Sequence, residues 1–357
     1  MGFFLPFPEA IDENMNKTLQ NYTYQGTLTL ESGKSIRDFN LAYTTMGNFN
    51  PGKDNVVWIF HAMTANSDPA EWWPGMVGDG KLFNPDDHFI ICVNMPGSCY
   101  GSVSPLSVNP ETGSPYYRNF PFFTPLDMAR AFDQLRIHLG IKSILLGIGG
   151  SMGGQQLIAW ATLHPALFQF IVPIATNAFH SPWGKAFNAS QRMSIEADPS
   201  WREEGPEAGM QGMKVARSIA LISYRHYEIY GKTQHDEDKA LENSRSESYQ
   251  RYQGEKLAKR FNALSYYMLT KSMDSHHLGR GVLEAEEMLE RIQSKCLVIG
   301  ISSDLLYPVC EQEFLAKHIP GAELAIIDSF YGHDGFLLED EKLNALLKPF
   351  LQIQPTT

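Results

Sequence analysis

A single serine lies among five glycines where an apolar run ends, in LLGIGGSMGGQQ (residues 145–156). Such a turn can cradle a phosphate, expose a nucleophile or let a helix pack closely. The phosphate templates fail, because no Lys follows the glycines and Met152 takes the last position of a G-x-G-x-x-G match. The pattern G-x-S-x-G does fit residues 149–153, and it predicts a strained strand-to-helix turn that exposes Ser151 as a nucleophile. A plain packing turn is the alternative.

A serine nucleophile needs a general base, and the base needs an acid that orients it. Where this turn is catalytic, the chain order is Ser, then Asp or Glu, then His. His333 lies in the loop DSFYGHDGF after the last strand-like run, and Asp304 ends the run before it, in GISSDLLYP. Either residue alone is more often a turn or cap residue than a catalyst. The ordered set of Ser151, Asp304 and His333 predicts a catalytic triad.

Two backbone N–H groups are needed to stabilise the oxyanion of acyl transfer. We expect one from Met152, directly after the nucleophile, and the other from Met63, in the loop HAMTAN (61–66). His61 in the same loop is expected to fix the loop rather than to act in catalysis. No metal site is predicted, since H-E-x-x-H is absent and the triad accounts for the carboxylates near His333.

The elements that must position these side chains are predicted by short apolar runs. Runs typical of buried parallel strands occur at 55–62, 88–94, 142–149, 170–176, 295–304 and 322–328. Residues 22–46 alternate and predict a hairpin or meander with a turn at ESGK. Residues 124–141 predict a helix that Thr124 caps and Gly140 ends. Strand–helix alternation of this kind predicts a doubly wound α/β fold.

The segment 177–290 has a different character from the rest of the chain. Strand-like runs disappear, and methionines and charged stretches replace them. We predict a helical insertion there, which divides an α/β core into residues 1–176 and 291–357. The charged run at 235–260 is expected to be a solvated helix face or loop rather than a binding patch.

Length and composition indicate an enzyme-like globular protein. The chain has 357 residues and a formal net charge of -11, which disfavours nucleic acid as a partner. No apolar run is long enough for a membrane span, and residues 1–14 do not resemble a signal peptide. The four cysteines form no Cys-x-x-Cys pair and are expected to be reduced. A cytoplasmic location is therefore expected.

Several longer motifs resemble the homoserine O-acetyltransferases of the α/β-hydrolase superfamily. In chain order, they are LESGKSIRDFNLAYTTMGNFNPGKDN, FHAMTAN, NMPGSCYGSVSPLSVNPETGSPY, GGSMGGQQ, QRMSIEADPSW, SDLLYP and YGHDGF. The resemblance covers nearly the whole chain, and GSCYGS, NPETG and YGHD are more specific than the serine turn alone.

The resemblance implies an α/β-hydrolase fold in which 177–290 forms a helical lid over a deep tunnel, with homodimerisation through the lid. It also implies acyl transfer by two displacements. Ser151 would take an acetyl group from acetyl-CoA, a co-substrate rather than a bound cofactor. The hydroxyl of L-homoserine would then attack this acyl-enzyme with His333 as base, giving O-acetyl-L-homoserine for methionine synthesis.

Homoserine is a zwitterion, whose carboxylate suits an Arg fork and whose ammonium suits a carboxylate. The resemblance gives the substrate carboxylate to Arg225, in LISYRHYEIYG, and the ammonium is expected at Asp334, next to His333. A lid salt bridge for Arg225 and a turn role for Asp334 are the alternatives.

The sequence departs from the family pattern near the expected site, at Met63, Ala65, Val103, Ser104 and Gln155. None of these residues belongs to the triad. They leave open succinyl-CoA as the donor and serine as the acceptor, both of which relatives use. A serine esterase that transfers the acyl group to water would need the same triad, and a non-catalytic scaffold with a relic fold is the remaining alternative.

Overall fold

The sheet at the centre of the molecule has eight strands. A computed structural model describes residues 17–237 and 241–352, so the segment 1–14 discussed above lies outside the described residues. The strands are β1 (Lys17–Thr29), β2 (Ser35–Met46), β3 (Val56–Phe60), β4 (Phe89–Val93), β5 (Ile144–Gly150), β6 (Phe168–Ile174), β7 (Lys295–Ile301) and β8 (Glu323–Ile327). Their order across the sheet is β1-β2-β4-β3-β5-β6-β7-β8.

Strands β3 to β8 run parallel, and β1 and β2 form an antiparallel hairpin added at the β4 edge. This is the mostly parallel sheet that the apolar runs predict, and all six predicted parallel strands are present. The central strands β3 and β4 are buried at every residue, because elements cover both faces of the sheet. The hairpin turn spans the predicted ESGK.

Helices flank the sheet on both faces and fill the segment between β6 and β7. They are α1 (Pro69–Trp72), α2 (Pro125–His138), α3 (Met152–Leu163), α4 (Pro182–Glu196), α5 (Met210–Tyr224), α6 (Tyr227–Thr233), α7 (Arg245–Ala258), α8 (Ala263–Asp274), α9 (Ala285–Leu289), α10 (Val309–His318), α11 (Gly335–Leu338) and α12 (Asp340–Phe350).

The start of α2 confirms the predicted cap. The Thr124 hydroxyl accepts the Asp127 N–H, and the Asp127 carboxylate accepts the Thr124 N–H in return. Gly140, which follows the helix, has φ +70°, a conformation that glycine adopts without a Cβ clash.

The core lies in two layers, one on each face of the sheet. On one face an aromatic cluster joins β3 to α2 and α3 through Trp58, Phe60, Phe132 and Trp160. On the other face, branched side chains of the strands pack against α12. The C-terminal ends of the parallel strands are thereby fixed from both sides.

Between β6 and β7 the described residues form helices α4 to α9 and a short 3-10 turn, without a strand. Helix α4 packs on α5, and α5 packs on α7 and on the loop after β8. The helical character predicted for 177–290 is present, while the division into domains at these boundaries stays a prediction. The charged run at 235–260 contains α7, which has only two buried residues, Gly254 and Leu257.

All four cysteines are free, and Cys92 and Cys296 are buried as apolar side chains. Within residues 17–237 and 241–352, none of the helices combines the length and the apolar character that a membrane crossing requires.

Candidate active site

Ser151 lies in the sharp turn between β5 and α3. Its backbone has φ +57° and ψ −126°, a combination that residues other than glycine rarely adopt. The neighbouring strand holds this turn in place, because the Ser151 N–H donates to the Ile174 carbonyl at 3.0 Å and the Thr176 hydroxyl donates to the Ser151 carbonyl at 2.8 Å. The predicted strained turn is therefore present, and it sets the serine at the end of the central strand β5.

The glycines of the G-x-S-x-G pattern are required by close backbone contact. A Cβ on Gly149 would lie 2.8 Å from the Phe60 Cβ, and a Cβ on Gly153 would lie 2.2 Å from the Phe60 carbonyl oxygen. Both distances are shorter than nonbonded atoms allow. The first turn of α3 can thus approach the end of β3 only because these two positions lack side chains.

Asp304 and His333 are in direct contact, although 29 residues separate them. The His333 Nδ1–H donates to Asp304 Oδ2 at 2.7 Å. The other oxygen of Asp304, Oδ1, accepts the N–H groups of Leu306 and Tyr307 at 2.8 and 2.9 Å. These bonds fix the carboxylate, and the carboxylate fixes the tautomer of His333 so that Nε2 is left free to accept a proton.

The three predicted triad residues are brought to the same end of the sheet. Ser151 follows β5, Asp304 follows β7 by a short turn, and His333 lies in a 3-10 helix, Gly332–Asp334, after β8. Their exposed fractions are 6%, 4% and 3%. A proton transfer between these residues would therefore take place away from bulk water. In such a buried site, charges interact more strongly than they do in water.

The pKa of His333 is set by opposing influences. Burial lowers it, but the Asp304 carboxylate and, to a lesser extent, Asp334 outweigh burial and raise the pKa above its ordinary value. The neutral form that can accept a proton therefore increases as the pH rises through this raised pKa. We expect the rate to rise with pH through this pKa, so that the acid limb of the pH–rate profile lies at higher pH than for an ordinary histidine.

Two backbone N–H groups have the environment expected of an oxyanion hole. Met152 is the first residue of α3, where a backbone N–H has no acceptor within the helix. Met63 is a buried residue of the loop after β3, and its N–H has no acceptor among the described residues. The part that either group plays in catalysis stays a prediction.

His61 fixes the Met63 loop, as the sequence predicts. Its Nδ1–H donates to the Ala62 carbonyl at 2.8 Å, and its Nε2 accepts the Met95 N–H at 3.1 Å. Burial lowers the pKa of His61 to about 4, so the ring is neutral near pH 7. Both ring nitrogens are thereby occupied in holding two loops together.

Arg225 and Asp334 form an ion pair next to His333. Arg225 directly follows α5, and its Nε lies 2.8 Å from Asp334 Oδ2. The side chains are 20% and 16% exposed, so Arg225 does not extend into solvent. The Nε–H makes no hydrogen bond in this pair. The structure thus joins directly the two residues that the sequence assigns to opposite ends of one ligand.

Sequence reasoning missed the rings that enclose His333. The Tyr307 ring stacks on the imidazole with centroids 5.1 Å apart, and the Tyr224 and Phe336 rings lie at 5.6 and 5.4 Å. Tyr307 belongs to the motif SDLLYP, three residues after Asp304. That spacing was the available signal, because a turn that returns its backbone N–H to Asp304 also carries its side chain toward the histidine.

Among the described residues, no three His, Cys, Asp or Glu side chains gather in a way that would hold a metal ion. The arrangement of a buried serine, an oriented histidine and unpaired N–H groups is suited to nucleophilic acyl transfer.

The α/β-hydrolase fold family is identified by a family model that matches residues 55–340. The chain is also 45% identical to the homoserine O-acetyltransferase of Cyclobacterium marinum, over 93% of this chain and 95% of that relative. The chain therefore belongs to the homoserine O-acetyltransferase family of α/β-hydrolase-fold enzymes. The resemblance drawn from the motifs is confirmed, as is the fold class.

Solved structures agree on the fold. The homoserine O-acetyltransferase of Bacillus anthracis superposes with a TM-score of 0.87 at 23% identity, covering 96% of this chain and 99% of that chain. Esterase E22 superposes with a TM-score of 0.85 at 21% identity, covering 94% of this chain and 100% of that chain. The same backbone thus occurs in proteins named as transferases and as hydrolases, and the acceptor must be argued from the site.

Proposed function

We propose that the protein transfers an acetyl group from acetyl-CoA to the hydroxyl of L-homoserine, through an acyl-enzyme on Ser151, and so serves methionine biosynthesis. The Cyclobacterium marinum relative supports the assignment by its name and by its match along the chain. The observation that carries the choice of acceptor is the Arg225–Asp334 pair beside His333.

In the first displacement, His333 Nε2 takes the proton of the Ser151 hydroxyl as Ser151 Oγ attacks the thioester carbonyl carbon. The N–H groups of Met63 and Met152 stabilise the oxygen that becomes negative. The carbon–sulfur bond then breaks, and the leaving thiolate takes the proton from His333. The products are free CoA and an acetyl ester on Ser151.

In the second displacement, homoserine replaces CoA as the partner of His333. The imidazole takes the proton of the homoserine hydroxyl, whose oxygen attacks the ester carbonyl. The bond to Ser151 Oγ breaks, and Ser151 regains its proton from His333. Asp304 stabilises the imidazolium in both displacements, because its Oδ2 accepts the Nδ1–H at 2.7 Å.

The charge pair suits an amino-acid acceptor. Arg225 would bind the homoserine carboxylate and Asp334 the ammonium, so each partner of the present ion pair gains a charged group of the substrate. Because Asp334 directly follows His333, an ammonium bound there would place a short side-chain hydroxyl close to the imidazole. Neither an acyl donor nor water has this pair of charges.

Water must be kept from the acyl-enzyme for transfer to dominate over hydrolysis. The low exposure of Ser151 and His333 supports such a covered site. Helix α5 contributes to the cover, since Tyr224 at its end packs on the His333 ring. We propose that the segment 177–290 acts as the lid.

The test is a thiol-release assay with acetyl-CoA, run with and without L-homoserine, in which the products are identified by mass. Release that depends on homoserine and yields its O-acetyl ester supports the transferase. Equal release without homoserine would make water the acceptor, as in an esterase of this fold. If acetyl-CoA gives no release and succinyl-CoA does, the proposed donor is wrong.

We further propose a homodimer that forms through the lid. Val215 and Ile222 lie seven residues apart on one face of α5 and are 53% and 57% exposed, and Met193 on the adjoining α4 is 66% exposed. Sedimentation of the wild type is expected to give the mass of two chains, and Ile222→Asp that of one. Val108→Asp, at an exposed loop residue outside the lid, is the control.

A further inference from the structure

Two arginines of the inserted helical segment contact residues that adjoin the candidate catalytic groups. The first is Arg260, which follows α7. Its Nη1 donates to the Thr64 carbonyl at 2.5 Å and to the Tyr100 hydroxyl at 2.6 Å. Thr64 directly follows Met63, one of the two proposed oxyanion donors. Since Arg260 is exposed while Met63 is only 4% exposed, this contact leads from the protein surface to the buried site.

The second arginine, Arg217 on α5, makes a contact on the histidine side of the site. Its guanidinium carbon lies 5.5 Å from the centroid of the Tyr224 ring. The Tyr224 ring in turn lies 5.6 Å from the His333 ring. One aromatic ring therefore separates this guanidinium group from the proposed general base.

A third cation, Lys256, lies in the last turn of α7, four residues before Arg260. Helix α7 packs tightly on α5, since a Cβ on Gly254 would lie 2.7 Å from the Lys214 carbonyl oxygen. The pKa of Lys256 is lowered, first by burial and then by the positive charges of Arg260 and Arg217. This direction agrees with the packing, because neighbouring like charges disfavour the charged form of a lysine.

Neither arginine is neutralised by an acidic side chain. Within residues 17–237 and 241–352, Arg217 and Arg260 form no ion pair with a carboxylate, whereas Arg192 and Arg225 of the same inserted segment each pair with an aspartate. Both hydrogen bonds of Arg260 use Nη1, so its Nε and Nη2 keep N–H groups for a ligand. Arg217 is half-buried, and burying a charge without a counterion lowers stability. An anionic ligand would account for this arrangement, and stability does not.

We propose that Arg217, Lys256 and Arg260 form a phosphate-binding site for the nucleotide end of the acyl donor. The inference rests on the proposed transfer from acetyl-CoA, in which a flexible pantetheine arm joins the thioester to a diphosphate and a 3′-phosphate. Phosphates bound by these cations direct the arm along the Thr64 loop, with the thioester toward Ser151. Guanidinium groups suit this role, because their paired N–H donors match phosphate oxygens.

Acetyl-pantetheine tests the site without a variant, because it has the same thioester and arm but lacks the nucleotide and its 3′-phosphate and diphosphate. For the wild type, kcat/KM should be about 100-fold lower with acetyl-pantetheine than with acetyl-CoA. Raising the salt from about 0.01 M to about 0.15 M shortens the range of charge interactions from about 30 Å to about 8 Å. It should lower kcat/KM for acetyl-CoA at least about threefold and leave that for acetyl-pantetheine unchanged.

The sign of this salt effect is informative, because the protein has a formal net charge of -11 and acetyl-CoA is also an anion. Without a local cationic site, salt would screen the repulsion between the two and raise kcat/KM. A decrease with salt therefore requires cations where the donor binds. The wild-type measurement decides the question even if a variant fails to fold.

Arg260→Gln removes the charge and retains an N–H donor for Thr64. The ratio of kcat/KM for acetyl-CoA to kcat/KM for acetyl-pantetheine should fall about tenfold. Arg217→Gln should lower the same ratio by about threefold or more. If Arg260 only positioned the Thr64 loop, both thioesters would react more slowly and the ratio would not change. Arg251→Gln is the matched control, because Arg251 is exposed on α7 and pairs with Glu247 at 2.8 Å; its ratio should equal that of the wild type.

An unchanged ratio in Arg260→Gln would overturn the inference. Equal kcat/KM values for the two thioesters in the wild type, or the same response of both to salt, would also overturn it. Thiol release from neither thioester by the wild type, with homoserine present, would instead reject the proposed function. The two failures are distinguishable, since acetyl-pantetheine reports the thioester chemistry in the absence of phosphates.

Discussion

The two sides of the active site are built differently. Ser151, Asp304 and His333 follow strands of one sheet and are fixed by backbone hydrogen bonds and a buried core. Arg225 comes from the end of a helix in the segment between β6 and β7, and an ion pair joins it to the sheet side at Asp334. If the proposed roles hold, the reaction chemistry is carried by residues that follow the strands, while Arg225, the proposed partner of the acceptor carboxylate, is supplied by the inserted helices.

Ser151→Ala is the strongest test of the catalytic role proposed for the residues that follow the strands. The variant should lose acetyl-enzyme formation and transfer by at least about 10⁴-fold, because the substitution removes the hydroxyl that is proposed to attack the acyl carbon. Its thermal unfolding should stay close to wild type, since only one oxygen is removed. Intact mass after incubation with acetyl-CoA measures the acetyl-enzyme directly.

The matched control is Ser265→Ala, at a fully buried serine of α8. It should leave both acetylation and transfer unchanged. Appreciable transfer by Ser151→Ala would reject the acyl-enzyme and, with it, the separation of chemistry from acceptor choice.

The next effect in size is expected for Asp304→Asn, which keeps the shape and removes the charge. The rate should fall roughly 10³- to 10⁴-fold, because the amide no longer favours the tautomer that leaves His333 Nε2 free. Loss of the carboxylate also lowers the His333 pKa, so the acid limb of the remaining activity should move to lower pH. Asp328→Asn, at an exposed residue just after β8, is the control, and its pH–rate profile should match the wild type.

The placement of Ser151, Asp304 and His333 at one edge of the sheet was predictable because its signals are local. Each of the three residues lies at the end of a strand-like run or in the short segment after it, and parallel strands bring such positions to one edge of the sheet. The strained turn at Ser151 likewise follows from five consecutive residues. For these features, sequence spacing and fold class together determine where the side chains lie.

The contacts across the site were not predictable in the same way. Arg225 and Asp334 could be assigned to a ligand, but their direct pairing depends on how α5 packs on the loop after β8. Tyr307 and Gln155 lie in the motifs SDLLYP and GGSMGGQQ, but the sequence predicted no contact between them. Their contact joins two elements that are distant in sequence. Hydrophobic periodicity predicts helices and strands, but it does not predict which buried side chains of two such elements will contact each other.

Arg225→Lys tests the role proposed for the inserted helices in binding the acceptor. It retains a positive charge but removes the planar fork, so the KM for homoserine should rise roughly 10- to 100-fold. Acetylation of Ser151 by acetyl-CoA alone should keep its wild-type rate. Burst kinetics without homoserine and steady-state kinetics with it separate the two steps.

Arg192→Lys is the control, because Arg192 forms a comparable ion pair within the inserted helical segment, with Asp274 at 2.6 Å. It should leave the KM for homoserine unchanged. A slower acetylation step in Arg225→Lys, with an unaltered KM, would contradict the division between the two sides.

The smallest expected effect is on the free energy of unfolding, and it arises from two buried histidines, His61 and His276. His61 holds the sheet-side loop, whereas His276 donates from Nε2 to the Asn177 carbonyl at 3.0 Å and so joins the two ends of the inserted segment. Burial lowers the pKa of His61 to about 4 and that of His276 to about 3. Both rings must therefore be neutral in the folded protein.

The pKa of His276 in the folded protein lies below its pKa in the unfolded chain. At a pH between these two pKa values, the ring therefore takes up a proton only in the unfolded chain. The free energy of unfolding should accordingly fall as the pH drops below about 6.5, with a contribution from His276 of about 2 kcal/mol at pH 5. That amount requires only that the folded pKa lie below 5.

His276→Gln can keep the donor to Asn177 and cannot take up a proton. The free energy of unfolding, measured with denaturant at pH 7 and at pH 5, should therefore differ between the two pH values by about 2 kcal/mol less than in the wild type. His235→Gln removes an exposed ring and should follow the wild type. An equal decrease in His276→Gln and the wild type would mean that protonation of His276 does not cause the loss of stability, and this prediction would be wrong.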